Sequence, residues 1–499
     1  MTTKRQANWN EDSIFTIASK GLRTSLIPSD SEFGKKGQEI LNSLGPLKRQ
    51  YKPKLPELSE LDVLRHYTRL SQMNYSIQTG FYPLGSCTMK YNPIINDRAA
   101  NLSGFAHTHP EQSEKTVQGN LELLYELENW LGAILGFEGV TLQPAAGAHG
   151  EYTGVMMIRA YHEKNGQSNR NEILIPDSAH GTNPASAALA GFKIISLPSA
   201  KDGTINVEAL QAAVGPNTAG LMMTNPNTVG VFEYNIEKVV KIVHDAGGLV
   251  YYDGANLNAI VGITRPGDMG FDVAHINLHK SFSTPHGGGG PGAGVVAVNS
   301  KLIPFLPVPR VTYDGKKYSW NNNFPDSIGK VKGYFGNFGV LVRAYTYIYT
   351  LGFEGLQALA KHAVLNANYM AKKVEQIKGF TIPYKGHNDL VKHEFVASAD
   401  QLKRETGVST LDVSKRLLDF MVHPPTIYFP LIVPEALMIE PTETESKDNC
   451  DEYIKILDTI SQEAYSQPDV IKQAPTHTSV TRVDDVRAAR NPVLSEKMK

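Results

Sequence analysis

Short apolar runs alternate with amphipathic stretches through the middle of this chain. The runs are EILIP (172–176), FKIISL (192–197), AGLMMT (219–224), GLVYYD (248–253), VAHINL (273–278) and GVVAV (294–298). Strands that are covered on both faces have nearly continuous apolar sequences, and helices between such strands connect them in parallel. The pattern therefore predicts an α/β domain built around a mainly parallel sheet.

The pattern differs on either side of this region. Residues 1–114 are rich in proline and charge, with a helix predicted over 57–73 and little strand signal, which indicates an arm that packs on other structure. Helical periodicity begins with KTVQGNLELLYELENWLGAILG at residue 115. Beyond residue 333, long helical stretches surround two strand-like segments, KHEFVAS and TIYFPLI. We therefore predict an arm (1–114), a large domain (115–333) and a small α+β domain (334–499).

Composition narrows the classes of partner. The 499 residues carry a formal net charge of -1, so the chain has no overall field that would attract nucleic acid or an anionic membrane. The most apolar helical stretch, 334–352, contains Arg343 and is predicted to be buried or interfacial instead of membrane-spanning. Only Cys87 and Cys450 are present, and the first residues lack the apolar core of a signal peptide, which favours a cytoplasmic location.

Polar side chains follow four of the predicted strands. They are His180, Thr182, Thr224, Asn225, Asp253, Asn256, His279 and Lys280. In open parallel sheets, ligands bind in the crevice beyond the carboxyl ends of the strands. Each residue alone fits an ordinary loop, capping or surface role, but their convergence predicts one binding site.

Three of these residues match the needs of pyridoxal phosphate. That cofactor requires a lysine that forms an imine, an acidic partner for the ring nitrogen and a flat side chain against the ring. Lys280, Asp253 and His180 are the candidates for these roles. A carboxylate beside the pyridinium favours the protonated ring, which then accepts electrons from the substrate.

The phosphate of such a cofactor needs hydrogen-bond donors. The segment QPAAGAHGEYTG (143–154) is a turn of small residues that opens a predicted helix, and helix N-termini bind anions. The backbone N–H groups of Gly147 and Ala148, with the His149 side chain, are the predicted donors. An ordinary tight turn into a helix would have the same sequence.

Four consecutive glycines, 287–290, follow Lys280. Each glycine in ordered structure destabilises the fold by about 0.5 to 1 kcal/mol relative to alanine, so such a run indicates a functional requirement. Gly287, Gly289 and Gly292 form a G-x-G-x-x-G match, but a strand follows it where a dinucleotide site needs a helix. The chain contains no G-K-[ST] loop and no C-x-x-C pair, so neither nucleotide hydrolysis nor a metal site is predicted.

Seven sequence blocks, in order, resemble the P-protein of the glycine cleavage system, and the likeness extends from about residue 26 to residue 494. The blocks are GFYPLGSCTMKYNP, QPAAGAHGEYTG, PDSAHGTNPASA, YYDGAN, NLHKSFSTPHGGGGPG, MIEPTETESKDNCDEY and APTHTSVTRVDDVRAARNPVL. The resemblance implies the fold of aspartate aminotransferase, known as fold type I of pyridoxal-phosphate enzymes. It also implies release of carbon dioxide from glycine and transfer of the aminomethyl group to the lipoyl arm of the H-protein.

The resemblance carries further expectations. The lysine of the NLHK block forms the Schiff base in this family, which places that role on Lys280, and Lys280 or His279 would move protons. The chain corresponds to the carboxyl half of the single-chain form. In the two-gene form this half is a separate polypeptide, so a partner subunit 1, with two copies of each subunit, is implied.

The first block, residues 80–93, is implied to line the active site. Its candidate substrate contacts are Tyr82, Ser86, Cys87 and Thr88, and Cys87 is expected to be a packed thiol. By sequence alone, the block is equally consistent with an arm at an interface.

Three other classes of function compete with this one. A catalytically silent scaffold subunit is disfavoured because Lys280, Asp253 and His180 are all present. A nicotinamide oxidoreductase is disfavoured by the position of the glycines. A different pyridoxal-phosphate enzyme, such as a cysteine desulfurase or another decarboxylase, stays open on residue chemistry alone.

Overall fold

A computed structural model describes residues 9–19, 21–22, 31–51, 54–109, 111–284 and 292–495. The glycine run, with Gly287 and Gly289 of the G-x-G-x-x-G match, lies outside these residues. The α-helices are α1 (Ile14–Ile17), α2 (Ser31–Ser43), α3 (Glu60–Gln72), α4 (Ile94–Ala100), α5 (Ser103–Ala106), α6 (Gln118–Leu135), α7 (Gly147–Lys164), α8 (Thr182–Leu189), α9 (Val207–Ala213), α10 (Ile236–Asp245), α11 (Leu278–Ser281), α12 (Phe338–Val374), α13 (Asp400–Thr406), α14 (Thr410–Asp419), α15 (Lys447–Ser466), α16 (Pro468–Gln473) and α17 (Asp485–Arg490). The strands are β1 (Gly139–Thr141), β2 (Glu172–Pro176), β3 (Lys193–Leu197), β4 (Thr218–Thr224), β5 (Leu249–Gly254), β6 (Val273–Asn277), β7 (Gly294–Val298), β8 (Arg310–Tyr313), β9 (Tyr318–Asn321), β10 (Phe395–Ser398), β11 (Thr426–Ile427) and β12 (Ala436–Ile439).

The large sheet has seven strands in the order β1-β7-β6-β5-β4-β2-β3. Strands β2 to β6 pair in parallel, whereas β7 pairs antiparallel with both β6 and β1. The six strands predicted from apolar runs are confirmed to within about one residue at their ends. Strand β1 was missed because its three residues are too few to show a period.

The strands are apolar along their whole length because each side of the sheet is covered. In β4, Leu221 and Met223 belong to a core shared with α6, α10 and α12, while Met222 faces a second core shared with α7 and α8. Since successive side chains point to opposite faces, both sets must be apolar. Because helices cover both faces of the sheet, polar side chains converge at the ends of the strands.

Helix α12 connects the two larger sheets through its packing. Its first half, including Leu341, packs in the core of the large sheet, and its second half, including Met370, packs in the core around β10 and β12. Gly352 interrupts its helical backbone with φ 60°. Among the described residues, no helix combines the length and apolar character that crossing a membrane requires.

A three-stranded antiparallel sheet, in the order β10-β12-β11, forms the core near the carboxyl end. Two of its strands fall in the predicted segments, but β12 was not predicted. The N-terminal segment reaches this sheet, because the backbone N–H of Gly85 donates to the Met438 carbonyl at 3.2 Å. Residues of the arm are thereby brought between the two sheets.

Candidate active site

Asp253, near the end of β5, is a buried carboxylate surrounded by donors. Its Oδ2 accepts a hydrogen bond from the Asn183 side chain at 2.7 Å, and its Oδ1 accepts one from the Ala255 backbone at 3.0 Å. The Nε2 atom of His275 lies 3.4 Å from Oδ1. Burial opposes ionisation, but His275 and these hydrogen bonds hold the pKa of Asp253 below its ordinary value. The carboxylate is therefore kept as an anion.

His275 reaches Asp253 because β5 and β6 run side by side, with the two residues in register. The Tyr251 hydroxyl lies 2.8 Å from the other ring nitrogen, Nδ1. Gly150 of α7 packs against the ring, where an added Cβ would lie 3.3 Å from the His275 Cβ. Sequence reasoning missed His275, although a lone polar residue inside the apolar run VAHINL was an available signal.

Lys280 lies in α11, directly after β6, and is half-buried. Its positive charge lowers the pKa of Asp253 and contributes to the lowered pKa of His180, while burial is the largest influence on both groups. The structure thus brings Lys280, Asp253 and His180 together at the carboxyl ends of three strands. These are the three residues for which the sequence predicts cofactor roles.

His180 precedes α8, and its ring is held at one edge. Its Nδ1 atom lies 2.8 Å from the Thr182 hydroxyl, which donates to Oε1 of Glu151 at 2.7 Å. Phe429 contacts the ring edge-on, with centroids 5.5 Å apart. Burial lowers the pKa of His180, so the ring is neutral at physiological pH. A neutral ring fixed at its edge leaves a flat face for stacking.

The N-terminus of α7 forms a cradle that a side chain would fill. A Cβ on Gly147 would lie 2.7 Å from Nδ2 of Asn277. Asn277 Oδ1 and Thr224 Oγ1 are buried polar atoms with no hydrogen-bond partner among the described residues. The His149 ring instead accepts a hydrogen bond from the Ala145 backbone at 3.1 Å. Free N–H groups at a helix start and the unpaired Thr224 hydroxyl, which can donate, suit an anion.

These features fit pyridoxal phosphate. Its phosphate would be held by the first turn of α7, including Gly147 and Ala148, and its ring nitrogen would be held by Asp253. Lys280 would hold its aldehyde carbon, and His180 would lie against its ring. The orphaned Thr224 hydroxyl and the missing side chain at Gly147, which lets the first turn of α7 lie close to Asn277, are the observations that support the fit.

Asn225, Asn256 and His279, which were also predicted to belong to the site, make hydrogen bonds to protein groups outside the Lys280–Asp253–His180 set. Asn225 accepts a hydrogen bond from the Glu233 backbone at 2.9 Å, which is a structural contact. Asn256 donates to Oε1 of Glu440 at 2.7 Å. The His279 ring accepts from the Ala293 backbone at 3.3 Å. None of these contacts tests their predicted cofactor or proton-transfer roles.

The segment 80–93 crosses the site from the arm side. The Tyr82 ring stacks on His423, with centroids 3.7 Å apart. The Ser86 backbone donates to Oε2 of Glu394 at 3.0 Å. Burial raises the pKa of the Cys87 thiol, while the nearby charge of Lys280 opposes the rise. The segment therefore approaches Lys280 through Cys87.

Sequence reasoning missed an acidic cluster on the small sheet. His393, Glu394 and Glu440 are all buried, and one ligand atom from each lies within 4.8 Å of the others. Lys280 faces this cluster, since its charge affects all three groups. Glu394 directly precedes β10 and Glu440 directly follows β12, so charged residues at strand ends were the available signal.

A cavity of about 900 Å³ opens beside the cluster. Its lining includes Tyr82, Thr88, Lys90, His279, Thr284 and His423. Thr88 also donates through its hydroxyl to Oε2 of Glu440 at 3.1 Å. The cavity thus reaches His279, next to Lys280, and Thr88, which hydrogen-bonds Glu440 of the cluster.

The chain has the fold known as fold type I of pyridoxal-phosphate enzymes. A solved glycine decarboxylase (P-protein) of the glycine cleavage system, in inhibitor-bound form, has a TM-score of 0.72 at 19% identity, covering 88% of this chain and 100% of that chain. Lactobacillus brevis CGMCC 1306 glutamate decarboxylase has a TM-score of 0.64 at 15% identity, covering 84% and 96% respectively. At these identities the likeness shows the fold alone.

The sequence comparisons are more specific. A family model described as "Glycine cleavage system P-protein" matches residues 37–312, and one described as "Glycine dehydrogenase, C-terminal domain" matches residues 359–479. Proteins named probable glycine dehydrogenase (decarboxylating) subunit 2 are similar: that of Pyrococcus abyssi is 57% identical over 99% of this chain and 97% of its own length. That of Listeria monocytogenes (strain HCC23) is 57% identical over 88% of this chain and 89% of its own length. The chain belongs to the glycine cleavage P-protein family.

Proposed function

We propose that this chain uses pyridoxal phosphate on Lys280 to release carbon dioxide from glycine, and passes the aminomethyl group to the lipoyl arm of an H-protein. The observation that carries the proposal is the buried anionic Asp253, which lies close enough to Lys280 for the lysine charge to act on it. An anion there would stabilise a proton on the cofactor ring. Family membership supports glycine as the substrate.

The bound cofactor supplies an electron sink for the bond that breaks when carbon dioxide leaves. The chain's own residues fix that cofactor and its substrate. The Asp253 carboxylate is already oriented by Asn183 and His275, so its surroundings do not need to reorganise during the reaction. His180 limits the space against the ring, and the segment 80–93 approaches Lys280 through Cys87. With substrate on the cofactor, the Lys280 amine would be free to carry a proton beside the reacting carbon.

We infer that the chain works with a subunit 1, two copies of each forming the assembly. Several apolar side chains of the arm are exposed in the single chain: Leu47 is 83% exposed, Tyr51 80% and Leu55 73%. Apolar side chains clustered in this way favour a protein partner. Both Cys87 and Cys450 are free, which supports a reducing cytoplasmic setting.

The test is exchange of labelled bicarbonate into the glycine carboxyl group, by the chain with subunit 1 and lipoylated H-protein. Lys280→Ala is expected to abolish both exchange and the absorbance of lysine-bound cofactor, while the exposed Lys193→Ala serves as the matched control. Asp253→Ala should keep the lysine-bound absorbance and lose most exchange. Exchange at the wild-type rate in Asp253→Ala would contradict the proposed mechanism.

The stacking role of His180 needs a separate measurement. His180→Ala is expected to weaken retention of the cofactor during dialysis, because the ring loses its flat contact. An unchanged cofactor affinity would contradict the stacking role while leaving the proposed reaction intact.

A further inference from the structure

Glu394 and Glu440 form a close carboxyl pair because of strand pairing. Phe395 and Ile439 are partners in the antiparallel β10–β12 ladder, so the residues next to them emerge side by side. Glu394 is 4% exposed and Glu440 is 0% exposed. Ionising both of two neighbouring buried carboxyl groups is unfavourable in free energy, because the charges repel each other and are shielded from water. One of the two groups therefore keeps a proton.

Hydrogen bonding decides which carboxyl keeps the proton. Glu440 accepts from the Thr88 backbone at 3.2 Å, from the Thr88 hydroxyl at 3.1 Å and from Asn256 at 2.7 Å. Among the residues that the structure describes, Glu394 accepts only from the Ser86 backbone, through Oε2, while the His393 Nε2 atom lies 3.9 Å from its Oε1. Donors stabilise the ionised form. The charge therefore belongs on Glu440 and the proton on Oε1 of Glu394.

The titratable groups around the pair agree with this assignment. Burial raises the pKa of Glu394 to about 8, with Glu440 adding to the rise and Lys280 opposing it. Burial likewise raises the pKa of Glu440, where Asn256, Thr88 and Lys280 oppose the rise and Glu443 adds to it. Burial lowers the pKa of His393 to about 3, so that ring is neutral.

The other acids near Lys280 are less suited to deliver a proton near neutral pH. Asp253 is held ionised, and burial raises the pKa of the Cys87 thiol above its ordinary value of 9.0. An acid that acts efficiently has a pKa close to the working pH. Among these groups, Glu394 meets that condition with its proton in place.

The proposed reaction consumes a proton. When the carbon left by departing carbon dioxide attacks the acceptor disulfide, a carbon–sulfur bond forms and the sulfur–sulfur bond breaks. The electron pair of the broken bond stays on the second sulfur as a thiolate. That sulfur becomes a thiol only if an acid of the site supplies a proton, and the acid is then recharged from water.

We propose that Glu394 is this acid: it holds one proton beside Lys280, paired with the ionised Glu440, and donates it to the sulfur released from the acceptor disulfide. The inference rests on the proposed function. Thr88, which lines the cavity and hydrogen-bonds Glu440, connects the pair to the space that an acceptor would enter.

The first experiment tests whether Glu394 carries a proton, and it does not require catalytic turnover. Difference infrared spectra of the full chain, wild type minus Glu394→Gln, should show the carbonyl stretch of a protonated buried carboxylic acid near neutral pH, and this band should disappear above about pH 8. A spectrum without that band would overturn the proposal. Glu435→Gln, which removes a carboxyl bonded to Lys403 and Thr410, is the matched control.

The second experiment follows thiol formation on the lipoylated acceptor, using the chain with subunit 1. Glu394→Gln should lower kcat by roughly 10²- to 10⁴-fold, with the KM for glycine and the cofactor affinity unchanged. Wild-type kcat should fall as pH rises through about 8, and the variant should lose this limb. A variant that retains the limb would contradict the assignment.

Glu440→Gln keeps the proposal testable if Glu394→Gln folds poorly. Removing the neighbouring charge lowers the pKa of Glu394, so the falling limb should move to lower pH, whereas a purely structural role would leave it in place. If wild type converts no glycine, the proposed function fails. The infrared band still decides separately whether Glu394 carries the proton.

Discussion

Lys90 and Glu443 form a buried ion pair, with Nζ 2.7 Å from Oε1. The Lys90 side chain is 1% exposed and that of Glu443 is 9% exposed. The same ammonium donates to the Ser281 carbonyl at 2.7 Å, one residue after Lys280. One lysine of the arm thereby links the segment that follows β12 to the helix that carries Lys280.

Lys90→Met should be strongly destabilising, because it leaves the Glu443 charge buried without its cation. Breaking a buried pair from one side costs about 3 to 5 kcal/mol. The free energy of unfolding in urea measures the loss. The double variant Lys90→Met/Glu443→Leu should recover much of it, and a double variant as unstable as the single one would show that the pair itself is not the cause.

Asn183→Ala should weaken cofactor binding by roughly ten-fold or more, since a hydrogen bond to a charged group contributes about 1.5 to 3 kcal/mol. The amide of Asn183 donates to Asp253 and favours its ionised form. Equilibrium titration of the chain with pyridoxal phosphate measures the change. Asn165→Ala, at the exposed end of α7, is the control, and equal affinities in both variants would contradict a role for Asn183.

Gly147→Ala should impair cofactor binding through the first turn of α7. The new Cβ would lie 2.7 Å and 2.8 Å from the amide atoms of Asn277, so the turn or Asn277 must shift. Overpacking of this kind costs about 1 to 3 kcal/mol. Gly215→Ala, where a Cβ would meet nothing within 4 Å, should bind like wild type. Normal cofactor affinity in Gly147→Ala would remove this turn from the phosphate site.

The pKa of Glu394 also predicts how stability depends on pH. Its folded-state pKa of about 8 lies above the ordinary 4.5, so between these values the folded chain keeps a proton that the unfolded chain has lost. The stability that this group contributes is present in full below 4.5 and declines as pH rises to about 8.

Glu394→Gln removes that contribution, so the wild type should lose stability relative to the variant by up to about 1.4 kcal/mol per pH unit. Urea unfolding of both chains between about pH 5 and about pH 8 measures the difference. Parallel curves would show that Glu394 titrates normally. Glu435→Gln, away from the carboxyl pair, should follow the wild type throughout.

The large sheet was predictable because its signals are local. Each strand, buried on both faces, is a continuous apolar run, and the turn that ends it exposes polar residues, so Asp253 and Lys280 stood out as neighbours in one crevice. Strand β12 was not predicted because its four residues are adjacent to a charged motif and are too few to show an alternation of apolar and polar positions. Asn183 and His275 were missed because their importance lies in contacts with Asp253 that only the packing of separate elements creates.

The sequence by itself determined the α/β class, the strands and the lysine with its acidic counterpart, because burial periodicity and strand-end position act over a few residues. Only the tertiary structure decided that Glu394 and Glu440 share a buried space opposite Lys280, and that Lys90 pairs with Glu443. Those residues lie far apart along the chain and are joined by the packing of separate elements. Local pattern therefore cannot specify which charges meet, whereas the folded chain fixes both their distance and their dielectric surroundings.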